Sequence, residues 1–254
     1  MTPALTLFAP QRLPEIAPGD DLAGIIFAAL SGDGLALADG DVIVLAQKIV
    51  SKAEGRRVAL ADVTPGAEAE RLAALCRKEP ALVELILRES SEVLRCVPGV
   101  LIVRHRLGFV LANAGIDRSN IADAEGHALL LPEDPDRSAA ALRAALMALT
   151  GKTIGVLIND SFGRAWRLGT SGTCIGCAGI APLLDLRGEA DRFGRALQSS
   201  ELAYADEIAA AASLVMGQAG EGLPVVVVRG LEPVAAQPGP AVALIRPAAS
   251  DLFP

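Results

Sequence analysis

The stretch TIGVLINDSFGRAWR, from Thr153 to Arg167, decides how this chain arranges its polar groups. It begins with the apolar run Ile154 to Ile158, which predicts a short buried strand. The polar side chains that follow are Asn159, Asp160, Ser161, Arg164 and Arg167. A carboxylate, a hydroxyl and two arginines at the end of a rigid strand are suited to holding a metal ion and phosphate oxygens. The stretch therefore predicts a site of phosphoryl transfer, on a turn that follows the strand.

A second apolar run, Val42 to Leu45, predicts another buried strand that leads into a polar segment. The polar residues of that segment are Gln47, Lys48, Ser51, Lys52 and Arg56. Lysines neutralise phosphate oxygens while short polar side chains orient a ligand, so the segment is a candidate nucleotide clamp. A solvated basic loop without any ligand explains the same composition equally well.

A third polar group follows a hairpin that we expect from residues 98–105 and 107–111. It reads NAGIDRSN and contains Asp117 and Asn120. Seen alone, each of these residues is typical of a turn. If Asp117 lies beside Asp160, however, two carboxylates at the ends of two apolar strands can hold one hard cation.

The remaining periodicity predicts helices separated by turn signals. We expect helices after Asp20 or Asp21, over residues 67–77 and 80–92, from 137 to 150 with Gly151 as its cap, and from 200 to 216 with Gly217 after it. A last buried strand is expected from Val225 to Val228, before a proline-rich tail. A length of 254 residues allows one large domain or two smaller ones, and we favour two intertwined parts.

Composition excludes several classes of function. The net charge of -7 comes from interleaved acids and bases, so the chain has neither a basic stripe for nucleic acid nor a polybasic membrane patch. No apolar run approaches the roughly 20 residues of a membrane span. The N-terminus has no secretory signal pattern, so we expect a cytoplasmic protein.

The spacing of the cysteines and histidines bears on whether they have a redox or metal-binding role. Cys174 and Cys177 have the spacing of a redox motif, but no second cysteine pair and no helical pattern accompany them. We favour small buried cysteines in a glycine-rich strand over a thiol-redox or metal role. His105 and His127 lack metal-ligand spacing, and we expect ordinary surface or turn positions for them.

Four blocks of the chain carry a resemblance to a known family. In order they are VIVLAQKIVSKAEGR, GFVLANAGIDRSN, TIGVLINDSFGRAWRLGTSG and ADEIAAAASLVMGQAGEGLPVVVVRG. They resemble the coenzyme F420-0:L-glutamate ligases, the γ-glutamyl ligases of deazaflavin cofactor synthesis. The resemblance implies an α+β fold of mixed sheets with flanking helices in two intertwined subdomains. It also implies a ligase domain over residues 1–232 and a tail over residues 233–254 that packs on the surface.

The same resemblance implies the reaction and its site. GTP drives amide formation between L-glutamate and the acceptor, with two Mg²⁺ or Mn²⁺ ions and K⁺, in a cleft of a homodimer. By this analogy Asp117 and Asp160 hold one divalent ion, while Ser161 and the backbone at Met216 hold the second. GTP is contacted by Leu13, Pro14, Glu15, Ile16, Gln47, Lys48, Lys52, Asn120, Leu214, Val215, Met216, Gly217, Gln218, Ala219, Gly220 and Glu221. Lys52, Arg164 and Arg167 add positive charge beside the transferred phosphoryl group.

Alternatives remain open at this point. The same ligase chemistry could act on another pterin- or flavin-like acceptor. A non-catalytic regulator that binds nucleotide or metal is a second possibility, although it would not need both aspartates, the serine and the arginines. A thiol-redox protein built on Cys174 and Cys177 is a third.

Overall fold

The computed structural model describes residues 4–119 and 126–251, which form helices, strands and connecting turns. The strands are β1 (Thr6–Phe8), β2 (Val42–Ala46), β3 (Arg57–Ala59), β4 (Ser90–Val97), β5 (Val100–His105), β6 (Val110–Ala112), β7 (His127–Leu129), β8 (Gly155–Arg164), β9 (Arg167–Ala178), β10 (Leu184–Asp185), β11 (Glu201–Leu202) and β12 (Val225–Arg229). The helices are α1 (Leu22–Gly32), α2 (Gln47–Ala53), α3 (Ala67–Cys76), α4 (Pro80–Arg88), α5 (Pro135–Thr150) and α6 (Tyr204–Met216).

The main sheet has the strand order β1-β12-β2-β8-β9 in the described residues. Its central pair, β2 and β8, is parallel, whereas the other neighbours are antiparallel. Side chains of β2 are buried on both faces, as expected for an apolar strand between two layers. Because β2 and β8 are parallel and Ala46 pairs with Asn159, both strands deliver their polar continuations to one edge of the sheet.

Helices cover both faces of this sheet. One face packs against α1 and α5 through Ile26 and Leu146, and the other packs against α6 through Ile208 and Ala212. The α+β class, with a mixed sheet and flanking helices, is therefore confirmed. No helix in the part of the chain that the structure describes is both long and apolar enough to cross a membrane.

A separate hydrophobic cluster lies between α2 and α5 in the chain. Helices α3 and α4 pack there against a second sheet of order β4-β5-β6, around Leu72, Ile86 and Val103. We call the part from β3 to β7 the inserted lobe, because the chain leaves the main sheet after α2 and returns to it at α5 and β8. The domain boundary near residue 232 stays a prediction. The backbone N–H of Gly239 in the tail donates to the carbonyl of Ile180 at 3.1 Å.

Several elements differ from their sequence expectations. Residues 159–164 were expected in a turn, but β8 runs through them because β9 pairs with them up to the tip of the hairpin. The segment after β2 was expected to be a strand exit or loop, but it forms helix α2, whose Ile49 and Val50 are buried. The helix expected over 80–92 ends at Arg88, and the chain continues as β4. The helix expected from residue 200 begins at Tyr204, after β11. His105 was expected at the surface or in a turn; it is fully buried, and its carbonyl accepts a hydrogen bond from the backbone N–H of Gly108 in the turn after β5.

Gly172 on β9 sets how closely α6 can approach the sheet. A Cβ built on this residue would lie 2.5 Å from the carbonyl oxygen of Ala209, and it would also meet the Ser213 hydroxyl. Because the φ of Gly172 is not positive, the requirement is for space and not for a left-handed backbone. Helix α6 therefore packs directly on the backbone of the hairpin.

We expect Gly172→Ala to destabilise the protein by about 1–3 kcal/mol, because the methyl group must push α6 off the sheet. Urea unfolding monitored by circular dichroism measures this change. Gly163→Ala is the matched control, since Gly163 lies on the same hairpin and a Cβ there would meet nothing within 4 Å. Equal effects of the two substitutions would contradict the packing argument.

A cluster of charged groups joins the inserted lobe to the two chain segments that flank it. Glu89 at the end of α4 accepts a hydrogen bond from the guanidinium of Arg56 at 2.9 Å and one from Arg106 at 3.3 Å. The Arg56 Nε also donates to the carbonyl of Leu131 at 2.9 Å. Burial alone would raise the pKa of Glu89, but the adjacent His105 and the two arginines outweigh burial and lower that pKa to about 2.

The lowered pKa of Glu89 predicts a pH-dependent contribution to stability. The ionised carboxylate stabilises the folded state above about pH 4.5, and this contribution is lost as the pH falls to about 2. We expect Glu89→Gln to cost up to about 3 kcal/mol at pH 7, with a difference from wild type that shrinks below pH 4.5. Urea unfolding across this pH range measures the effect. Glu92→Gln, which alters the more exposed pair with Arg104, should change stability little at any pH.

Candidate functional site

A cavity of about 560 Å³ opens at the edge of the sheet where β2 and β8 deliver their polar residues. Its walls come from the N-terminal loop, the first turns of α2, the middle of β8 and the loop after α6. The lining residues are Leu13, Pro14, Glu15, Ile16, Ala46, Gln47, Lys48, Ile49, Lys52, Asn159, Asp160, Ser161 and the segment Met216 to Pro224. The volume is that of a pocket for a drug-sized or nucleotide-sized ligand.

Gln47 at the start of α2 is the buried polar group that points to a ligand. The residue is 2% exposed, and its Oε1 accepts a hydrogen bond from the Ser51 hydroxyl at 2.8 Å. Its Nε2 has no hydrogen-bond partner among the described residues, although it lines the cavity. Because an unpaired buried donor is costly, an acceptor on a bound ligand would complete this site.

Asp117 lies beside the cavity and is held by Lys48 and Ser119. The Lys48 ammonium lies 2.7 Å from Asp117 Oδ2, and the backbone N–H of Ser119 donates to Asp117 Oδ1 at 2.7 Å. Burial raises the pKa of Asp117, but the Lys48 ammonium and the Ser119 donors outweigh it, so the pKa lies below its ordinary value. Asp117 is therefore an ionised carboxylate at neutral pH.

Asp160 lies on β8 and is electrostatically strained. Burial, which is the largest cause, and the charge of Asp117 together raise its pKa from 3.8 to about 6. The hydrogen bond from the backbone N–H of Ser161, at 2.8 Å, and the charge of Lys48 offset this only in part. Two carboxylates that interact in this way would be relieved by a bound cation.

The donors at this edge fit a divalent cation of the oxygen-preferring kind. The described residues contain no group of three or more His, Cys, Asp or Glu side chains that could hold a metal ion. A cation here would therefore take Asp117 and Asp160 with hydroxyl, backbone or ligand oxygens, as Mg²⁺ does when it shares its shell with phosphates. Ser161 lines the same wall and supplies a hydroxyl.

Asn159 joins the end of α6 to this wall of the cavity. Its Nδ2 donates to the Ser213 hydroxyl at 3.0 Å and approaches the sulfur of Met216 at 3.5 Å. Its Oδ1 accepts from the backbone N–H of Thr173 at 2.9 Å. These bonds fix the position of Met216, after which the glycine-rich loop from Gly217 to Gly222 lines the cavity.

Lys52 extends from α2 on another side of the cavity. Its ammonium lies 2.5 Å from the carboxylate of Glu15, and its side chain is 14% exposed whereas that of Glu15 is 69% exposed. The lysine is thus held mainly by packing, with a flexible acidic partner that can move away. An anionic ligand in the cavity would meet this ammonium.

Not every candidate residue reaches the cavity. Arg164 and Arg167 lie at the exposed tip of the β8–β9 hairpin and do not line it, because β8 continues as a strand instead of turning back. Leu214 is 87% exposed on α6, and Val215 packs against the core, so neither lines the cavity. Asn120 lies outside the described residues.

Sequence reasoning omitted some of the lining residues. Asn159 was named among the polar residues after the strand but was given no role in the site, although it lines the cavity next to Asp160. The residues from Gly222 to Pro224 continue the glycine-rich loop into β12, and no chemical side chain marks them. Ala46 and Ile49 contribute walls that composition alone does not reveal.

Comparison with known proteins places the chain in a family. The profile described as F420-0:Gamma-glutamyl ligase matches residues 11–230, which include the cavity-lining residues. The chain belongs to the F420-0:gamma-glutamyl ligase family. It is 47% identical over 226 residues to the coenzyme F420:L-glutamate ligase of Methanothermobacter thermautotrophicus, and the match covers 89% of each chain.

Two other relatives show the same extent of similarity. The coenzyme F420:L-glutamate ligase of Methanopyrus kandleri is 43% identical over 242 residues, which are 94% of this chain and 93% of that protein. The protein of the same name from Halobacterium salinarum is 44% identical over 231 residues, or 89% of this chain and 87% of that protein. The similarity to this ligase family therefore extends over nearly the whole chain.

Cys174 and Cys177 do not line the cavity. Cys174 and Cys177 are free thiols, 1% and 3% exposed, on the face of β9 that packs against α6. The hydrogen bond with Cys177 and burial raise the pKa of Cys174 well above its ordinary value, so it is not an activated thiolate. The interpretation of small buried cysteines in a glycine-rich strand is confirmed.

The strain on Asp160 predicts that its neutralisation stabilises the metal-free protein. Because the folded pKa lies above the ordinary value of 3.8, stability falls as the pH rises towards about 6, and the cost is complete above that pH. With chelator present, we expect Asp160→Asn to be more stable than wild type above pH 6, by up to about 3 kcal/mol, and nearly equal to it near pH 4. Urea unfolding at the two pH values measures this, and a variant that is less stable at pH 8 would contradict it.

Proposed function

We propose that this protein is a GTP-dependent ligase that adds L-glutamate to the terminal carboxylate of the deazaflavin coenzyme F420-0. GDP and phosphate leave, and further glutamates extend the chain through γ-linkages. The observation that carries the proposal is the cavity, which is lined by two lysines, an unpartnered buried amide and Asp160, with Asp117 beside it, in a member of this ligase family. We propose the cytoplasm as its location.

The chemistry requires activation, because a carboxylate is a poor electrophile. In the proposed reaction the acceptor carboxylate attacks the γ-phosphate of GTP, GDP leaves, and an acyl phosphate forms. The amine of L-glutamate then attacks the acyl carbon, phosphate leaves, and the amine loses its proton as the amide bond forms. Both steps require that negative charge on phosphate oxygens be neutralised where it develops.

The residues of the chain divide this work. Lys52 and Lys48 supply positive charge to the phosphates, and the Gln47 amide donates a hydrogen bond to the nucleotide. The glycine-rich backbone from Gly217 to Gly222 permits close approach of a ligand. In the proposal Asp117 and Asp160 hold one Mg²⁺ or Mn²⁺ ion, and Ser161 and the Met216 carbonyl hold a second. These ions, when bound, neutralise charge on the transferred phosphoryl group.

Other parts of the proposal concern groups that do not line the cavity. K⁺ is proposed as an activator without a named site, and Asn120 is proposed as a further GTP contact. We also propose a homodimer. Arg164 and Arg167, on the exposed hairpin tip, would take part in the reaction through acceptor or phosphate binding beside the second copy.

Two alternatives predict different outcomes. The same ligase chemistry on another pterin- or flavin-like acceptor predicts glutamate transfer to that acceptor but not to F420-0. A non-catalytic regulator predicts nucleotide binding without any product. The relatives named as coenzyme F420:L-glutamate ligases favour the F420-0 reaction over both.

Mass spectrometry of products, after incubation with GTP, Mn²⁺, L-glutamate and F420-0, tests the proposal. We expect glutamylated F420 and an equal amount of GDP from the wild-type protein. Asp160→Asn should give neither product, because the substitution removes the charge of one metal ligand.

We expect Lys52→Ala to weaken GTP binding about tenfold, as measured by calorimetry, while circular dichroism shows that the fold is intact. Near-native turnover by Asp160→Asn, or an unchanged GTP dissociation constant for Lys52→Ala, would refute the assignments.

A further inference from the structure

Both carboxylate oxygens of Asp117 already have partners in the ligand-free protein. Oδ1 accepts hydrogen bonds from the backbone N–H of Ser119 at 2.7 Å and from its hydroxyl at 2.8 Å. Oδ2 lies 2.7 Å from the Lys48 ammonium. A cation that binds Asp117 must therefore displace one of these partners or share an oxygen with it.

The Lys48 ammonium lies among oxygens as a bound cation would. Besides Asp117 Oδ2, it donates to the Ser119 hydroxyl at 3.0 Å and lies 3.5 Å from the Ser119 carbonyl oxygen. Its charge also reaches Asp160, whose pKa it lowers against the stronger effect of burial. One carboxylate, one hydroxyl and one carbonyl are the oxygen donors that hard metal ions prefer.

We infer that the Lys48 ammonium occupies the cation position of Asp117 in the ligand-free protein, and that a divalent cation displaces it towards the nucleotide phosphates. This inference rests on the proposed function, because it assumes that Asp117 binds a divalent ion and that GTP occupies the cavity. It adds that Lys48 couples the two binding events.

Lys48 is the partner that can move. The backbone N–H of Ser119 is held two residues from Asp117 in a local turn, so it cannot leave without refolding that segment. The Lys48 side chain is 26% exposed, has four rotatable bonds and already lines the cavity. When its ammonium leaves Asp117 it therefore stays within the same space, where it can meet an anionic ligand.

This arrangement makes the two ligands cooperative. A divalent cation releases the ammonium for the phosphates, and bound phosphates hold the ammonium away from Asp117. By thermodynamic reciprocity, each ligand must increase the affinity for the other by the same factor. Without nucleotide the ammonium competes with the cation, so binding of the cation alone is weakened.

Lys52 provides a matched control on the same helix. It also places an ammonium in the cavity, but its partner is Glu15 and not Asp117. Removing Lys52 takes away a positive charge near the phosphates without freeing an oxygen of Asp117. The two lysines therefore separate a direct competition from a general effect of charge.

The experiment measures Mn²⁺ binding by electron paramagnetic resonance and GTP binding by calorimetry, on the full chain without acceptor or glutamate. For Lys48→Met and Lys48→Gln, we expect the Mn²⁺ affinity without nucleotide to rise about fivefold, as for loss of a competing ion pair. We expect the factor by which GTP and Mn²⁺ enhance each other to fall. For Lys52→Met, GTP binding should weaken by the same factor with and without Mn²⁺, and the Mn²⁺ affinity alone should stay unchanged.

Three results would overturn the inference. These are an unchanged nucleotide-free Mn²⁺ affinity in both Lys48 variants, equal effects of the Lys48 and Lys52 substitutions, or no Mn²⁺ binding by the wild-type protein. The product assay of the wild-type protein decides separately whether the proposed ligase function stands. Glutamylated product from a protein whose Lys48 variants leave Mn²⁺ binding unchanged would refute the displacement alone.

Discussion

The parallel pairing of β2 with β8 is the constraint on which the site depends. Because both strands run in one direction and Ala46 lies opposite Asn159, the residues after β2 and the polar half of β8 meet at one edge of the sheet. Two segments more than a hundred positions apart in the chain thereby form adjoining walls of one cavity. Apolar burial on both faces holds this pair rigid, so the polar groups project from a support with little freedom.

Some of the charged and polar groups at that edge lack a matching partner in the protein. Asp117 has a cationic partner in Lys48, while Asp160 is half-buried beside a second carboxylate and its pKa is raised. Gln47 keeps a buried donor without a partner. A fold that was optimised for stability alone would avoid these features, and their concentration in one cavity is typical of a binding site.

Sequence reasoning located the important strands because their apolar runs are short, uninterrupted and bounded by polar residues. Val42 to Leu45 lies within β2, and the expected run from Ile154 to Ile158 matches the start of β8, which begins at Gly155. It failed where tertiary pairing overrides local signals. The polar residues after Ile158 were expected in a turn, yet β9 extends their strand, and for that reason Arg164 and Arg167 lie at a distant tip. The short helix α2 was missed because its seven residues show less than two full turns of periodicity.

The site could be predicted only in part, because local sequence signals do not specify its tertiary contacts. Asp117, Asp160 and the lysines carry chemistry that a sequence displays, whereas cavity walls such as Ala46 and Leu223 contribute shape alone. The contact between Lys48 and Asp117 links α2 to the inserted lobe across 69 positions, and no local pattern specifies it. Such a contact can be identified only from the positions of the inserted lobe and the main sheet in the folded protein.

The insertion of this lobe between two strands of the main sheet has a consequence for biosynthesis. Asp117 belongs to the inserted lobe and Asp160 to the main sheet, while the last walls of the cavity come from the loop before β12. A ribosome must therefore release the chain beyond Pro224 before the cavity can close, and the inserted lobe must pack beside the main sheet before the aspartates can meet. A nascent or half-folded chain has no complete pocket, so the capacity to bind its ligand arises only with the finished fold.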